Sequence, residues 1–184
     1  MIALVVPDAV CAVVCLVAVV TDLRSRTIPN WLCLAGVAAG LALNPLLMSL
    51  ELGLGPGLKL GLMSSVVGCL LLFFVFLLFG LINFVGMGDV KLMAAVGALL
   101  RWPTALWALA YVTLSGGVLA LLYALATGRM LPVLRNLLTM GGNVFRKQQG
   151  RKQVQLHRIP YALAILVGAC WAAAIKYFPV LRVP

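Results

Sequence analysis

Acidic residues are almost missing from this chain of 184 residues: Asp8, Asp22, Glu51 and Asp89 stand against 14 lysines and arginines. Histidine is scarcer still, with His157 alone, and the five cysteines (Cys11, Cys15, Cys33, Cys69 and Cys170) form no Cys-x-x-Cys pair. Each shortage excludes a kind of chemistry. Zinc needs clustered thiolates or imidazoles, so neither a metal site nor a cofactor is expected. A Ser-His or Cys-His nucleophile system needs an oriented histidine, and His157 stands in a basic stretch with no acidic neighbour. The cysteines fall in apolar runs, where a thiol behaves as a small core hydrophobe. Internal repeats and low-complexity tracts are also lacking, which argues for one domain.

What the chain has in plenty is apolar side chain. A hydrophobic content of 64% and a mean hydropathy of +1.15 exceed what a soluble core of this size buries. Apolar runs of spanning length, roughly 20 residues, lie at about 2–21, 30–50, 58–82, 103–127 and 158–180. A shorter run at about 86–100 falls short of the roughly 30 Å hydrocarbon layer at about 1.5 Å per residue. It is expected to lie in a thinned or water-accessible part of the bundle, or to begin with a non-helical entry. The first run has no basic segment ahead of it, is interrupted by Asp8, and shows no small-x-small site before Thr21. It therefore reads as a span rather than a signal peptide. The expected fold class is all-α: a polytopic membrane protein of six transmembrane helices forming a single membrane-embedded domain over residues 1–184.

Positive residues accumulate in short cytoplasmic loops. Arg24 and Arg26 follow the first run, Lys91 follows the third, and a dense basic series from Arg129 to Arg158 follows the fifth. Lys59, Arg101, Lys176 and Arg182 are left for the other face. Both termini are then extracytoplasmic, Asp22 and Asp89 lie at cytoplasmic helix ends, and Asp8 and Glu51 lie on the opposite side. The net charge of +10 is concentrated in the loop at about 128–158, where Phe145 is the only aromatic. That pattern suits anionic membrane lipids rather than nucleic acid. Within the loop, Met130, Val133, Leu134, Leu137 and Leu138 recur at helical spacing, as in a helix lying in the interface. The spacings Gly36/Gly40 and Gly57/Gly61 permit close helix approach but are weak signals in so glycine-rich a chain.

An ionisable group near hydrocarbon is costly enough to be read first as a functional-site candidate. Asp22 lies in TDLRSRTIPN and Asp89 in GMGDVK. Two carboxylates facing one another across a water cannot both ionise easily, so they share a proton and supply an acid and a base together. The base would take a proton from water as the water attacks a peptide carbonyl, and the acid would protonate the oxyanion, so that between them they can also supply the leaving amine with a proton. Asp89 could instead be a helix N-cap. Asp22 closes a helix, where the dipole disfavours an anion, so a purely structural role fits it less well. Lys91, two residues past Asp89, should point to another face and meet lipid headgroups or substrate.

These motifs resemble those of the type IV prepilin peptidases, membrane-embedded aspartic peptidases. The resemblance rests on Asp22 followed by Arg24, Arg26 and Ile28-Pro29-Asn30, on Gly86-x-Gly88-Asp89 with Lys91, and on Pro160-Tyr161 opening the last run. It implies catalytic Asp22 and Asp89, with Gly86, Gly88, Lys91, Arg24, Pro29, Asn30, Pro160 and Tyr161 in the motifs or near substrate. It further implies removal of the cytoplasmic leader of prepilins or pseudopilins, cut after a glycine just before a hydrophobic helix, in the inner (cytoplasmic) membrane. The cytoplasmic methyltransferase domain of larger members is expected to be absent, because the first span begins at the start of the chain. The short form is similar to tight-adherence (Flp) pilus peptidases and to archaeal preflagellin peptidases. A small proton- or cation-coupled transporter subunit would also use two such acids, but leaves their neighbours unexplained.

Overall fold

The structure, a computed structural model, describes residues 2–81, 85–126 and 161–177. Among them run six helices: α1 (Ile2–Ser25), α2 (Asn30–Leu52), α3 (Leu54–Leu81), α4 (Met87–Leu100), α5 (Thr104–Ala126) and α6 (Tyr161–Ile175). Of these, α1, α2, α3 and α5 are long and apolar enough to cross a membrane. The basic loop at 128–158, with its expected interface helix and His157, lies outside the described residues, as does Pro160.

The helix ends follow local chemistry. α1 outlasts its apolar run by a turn, because the hydrogen-bond ladder does not require apolar side chains. Within that turn, Thr21 donates its hydroxyl back to Val17 O and Ala18 O, each at 3.0 Å, and Ser25 donates to Thr21 O at 2.7 Å. The helix stops where Arg26 turns left-handed (φ 52°) and gives its N–H to Asp22 O at 2.9 Å. Ile28 stands before a proline, a position biased toward extended backbone, and Pro29 (φ −64°, ψ 133°) caps α2. The α2–α3 junction turns at Gly53, whose φ of 89° favours glycine.

α4 is the short run at 86–100, and Gly86, its cap residue, is extended (φ −67°, ψ 145°) before the first turn. Residues 92–100 are all buried, and α4 packs against each of the other five helices. A helix too short to span is thus enclosed by longer ones. Large apolar side chains point outward, with Leu34 71%, Leu50 76% and Leu54 83% exposed, as suits faces turned to lipid.

Inside, the helices meet through small residues, as membrane helices do when lipid offers no hydrophobic driving force. A methyl group built on Gly36 would lie 2.8 Å from Ala95 Cβ, and one on Gly40 would lie 2.6 Å from the Ala98 carbonyl carbon. Gly61 meets Pro45 at 2.5 Å on the same construction, and Gly57 meets Ser49 Cα at 2.5 Å. The two glycine spacings that carried little weight in the sequence are therefore close-approach surfaces, of α2 on α4 and of α3 on α2. A third contact, Gly68 against Gly97, joins α3 to α4.

At the end of the bundle away from Asp89, Lys176 pairs with Asp8 at 2.7 Å, and Tyr177 donates its hydroxyl to the other Asp8 oxygen at 3.0 Å. The start of α1 is thereby tied to the turn after α6. Asp8→Asn strips the charge from a pair whose side chains are only 8% and 14% exposed, and breaking such a pair typically costs about 3–5 kcal/mol. We expect a clearly lowered melting temperature, while any reaction that depends on Asp22 and Asp89 should run within about twofold of normal in the protein that remains folded, since Asp8 stands apart from them. Neutralising Glu51 as well should add no catalytic loss. A loss as large as that from changing Asp22 would mean the wrong acids have been paired.

Candidate functional site

Asp22 occupies the last turn of α1, half-buried, and Asp89 the first turn of α4, also half-buried. Glycine, not Asp89, holds the cap: Gly86 is the cap residue, and its carbonyl accepts the N–H of Asp89 at 3.0 Å and of Val90 at 3.2 Å. The Asp89 carboxylate lies over Gly86, its Oδ2 3.0 Å from where a Cβ on that glycine would stand. Any larger residue at 86 would crowd the carboxylate. An anion in a first helical turn is also favoured by the helix dipole.

The two acidic motifs, more than 60 residues apart in sequence, meet through their neighbours. The Ile28 side chain packs on Gly88, 3.4 Å from the place of a Cβ there, so the segment leaving Asp22 is seated on the residue before Asp89. Lys91 donates its ammonium to Asn30 Oδ1 at 2.9 Å. The packing of α2 on α4 sets the two helix starts side by side, and so gives Lys91 a partner in the first residue of α2. Pro29 is half-buried just ahead of that bond, and Arg24 is exposed in the last turn of α1.

Tyr161 opens α6 and reaches the same region. Its ring packs on Phe76, with centroids 6.4 Å apart, and its hydroxyl fills the space a Cβ on Gly116 would need, at 2.7 Å. It lies within electrostatic range of Asp89. So does Cys33, which the sequence marked only as a core thiol; it is buried on α2 and also within range of Lys91. Its position three residues after Asn30, on the same helix face, was the signal available.

The bond between Lys91 and Asn30 is exposed, so it should be worth no more than about 1 kcal/mol. Lys91→Gln and Asn30→Ala should each lower any activity of this site by a few-fold, and the double variant should lose little beyond either single one. Additive losses in that cycle would show that the two side chains act separately.

No curated protein and no solved structure gave a significant match to the chain. The profile of the type IV leader peptidase family matches residues 9–125, a stretch that holds most of α1, all of α2 to α4, both acidic motifs and nearly all of α5. A match over well more than half of the sequence, on a helical frame that brings those motifs together, establishes that this chain belongs to the type IV leader peptidase family.

Proposed function

We propose that the protein is a membrane aspartic endopeptidase that removes the cytoplasmic leader of type IV prepilins or pseudopilins. Asp22 and Asp89 act as the acid and base. One takes a proton from water as the water oxygen attacks the scissile carbonyl, while the other protonates the oxyanion; as the C–N bond breaks, the first passes its proton to the departing amine and the second takes one back from the diol hydroxyl that becomes the new carboxyl carbonyl. No covalent intermediate is required. The substrate is a small protein with a basic leader, a glycine at the cut and an apolar helix that enters the bilayer, and cleavage takes place at the cytoplasmic face of the inner membrane. The missing side chains at Gly86 and Gly88 make room for the Asp89 carboxylate and for Ile28, and so let the two acidic motifs close on one another.

The observation that carries this reading is the seating of Ile28 on Gly88, within a chain of this peptidase family. It draws the segment after Asp22 onto the residue before Asp89. The test is direct. The purified protein, in detergent or liposomes, is given a synthetic prepilin, and the products are identified by mass. A single cut after the glycine is expected. No cut, from protein shown to be folded, would reject the assignment.

A further inference from the structure

The end of α4 away from Asp89 leaves two carbonyls that the helix cannot satisfy. Ala98 O and Leu99 O would normally receive the N–H groups of residues 102 and 103. Residue 103 is proline and has none, while Trp102 gives its N–H to Ser64 O on α3 at 3.0 Å. Asn44, on α2 and wholly buried, supplies the missing donor. Its amide nitrogen stands 2.9 Å from Ala98 O, 3.2 Å from Leu99 O and 2.9 Å from Ser65 Oγ. Ser65 in turn donates to Gly40 O at 3.3 Å.

This arrangement does more than satisfy carbonyls. The Asn44 Oδ1 atom is buried and finds no partner among the described residues, an acceptor in an apolar interior that opposes stability. Part of the surface on which α4 rides is smooth: Gly36 and Gly40 of α2 meet Ala95 and Ala98, and Gly68 of α3 meets Gly97. Glycine and alanine offer few ridges to resist sliding along the helix axis. The Asn44 amide is directional and grips the last turn of α4. Asp89 sits in the first turn of the same rigid helix.

We propose that Asn44 is a positioning residue for peptide cleavage: it sets the axial height of α4, and through it the height of Asp89 relative to Asp22 on α1. The cleavage part of this statement rests on the reading under Proposed function, so the test joins kinetics to a measurement that needs no activity. Asn44→Leu, Asn44→Ser, and Asn44→Ser combined with Ser65→Asn, which moves the amide to α3, are purified alongside Thr113→Val, an exposed control on α5. Each is also made with Ser25→Cys and Met87→Cys, on a background freed of native cysteines, for spin-label distances between the ends of α1 and α4.

Asn44→Leu should lower kcat by about ten- to a hundredfold with KM within about twofold, the pattern of a misplaced catalytic group. Its distance distribution should shift or broaden, its pH profile should move, and the combined variant should recover most of both rate and distance. Asn44→Ser gives the same reading should the leucine variant fail to fold. An unchanged distance, whether or not kcat falls, overturns the proposal, as does a shift of equal size in Thr113→Val. A shifted distance in a protein whose parent cleaves no prepilin leaves the placement of Asp89 standing and rejects the peptidase reading instead.

Discussion

Asp22→Asn and Asp89→Asn are each expected to lower leader cleavage by on the order of 10³-fold or more, while the protein stays folded and in the membrane. Asparagine keeps the shape of aspartate but can neither take up nor release a proton at neutral pH. In the proposed reaction each carboxylate has its own proton transfer, so the loss of one is not made good by the other. Stability should change little, because both side chains are only half-buried. The measurement is prepilin cleavage by purified protein, set beside the melting temperature of the same preparation. The unaltered enzyme should show a bell-shaped rate profile against pH, its two limbs belonging to the pair rather than to either residue. Processing at the normal rate by one of the variants would remove that residue from the mechanism.

Gly97→Val should produce the largest loss of folded protein. Gly97 of α4 is pressed against the Gly68 carbonyl of α3, so a Cβ there would overlap backbone rather than a movable side chain. Overpacking a core by a methylene or two typically costs about 1–3 kcal/mol. Forcing two helix backbones apart costs more, and α4 is enclosed on all sides, so the strain cannot be relieved toward lipid. With whole-protein stabilities of about 5–15 kcal/mol, little inserted, monodisperse protein should remain. Gly117→Ala is the matched control: a Cβ at that position meets nothing within 4 Å, and alanine favours helix by up to about 1 kcal/mol. It should melt at or slightly above the parent. A Gly97→Val protein that melted like the parent would contradict the close approach of α3 and α4.

How much of this was legible depends on how local each signal is. The short run at 86–100 marked α4 to within a residue, since GMG at its start and Trp-Pro at its end are strong breakers lying beside apolar sequence. The end of α1 was read a turn too early, because TDLRS looks like loop by polarity while its hydroxyls bond back into the helix. The partner of Lys91 could not be read at all: Asn30 lies 61 residues away, and nothing in either neighbourhood names the other. Nothing in the sequence singled out Asn44. That it serves two carbonyls left over by Pro103 and Trp102 required the positions of three helices.

The sequence by itself determined what depends on composition and near neighbours: a membrane protein of apolar helices, the two acidic motifs, and a family kinship carried by those motifs. Tertiary structure alone decided that α4 is the enclosed helix, that glycine faces bring α2, α3 and α4 together, and that Ile28 seats on Gly88. The reason lies in the solvent. In water, polarity tells which face of a helix turns inward. In a bilayer, lipid and protein neighbours are equally apolar, so hydropathy is nearly blind to the choice. It is made by how closely two backbones can approach and by which buried carbonyl finds a donor, and both are properties of segments far apart in the chain.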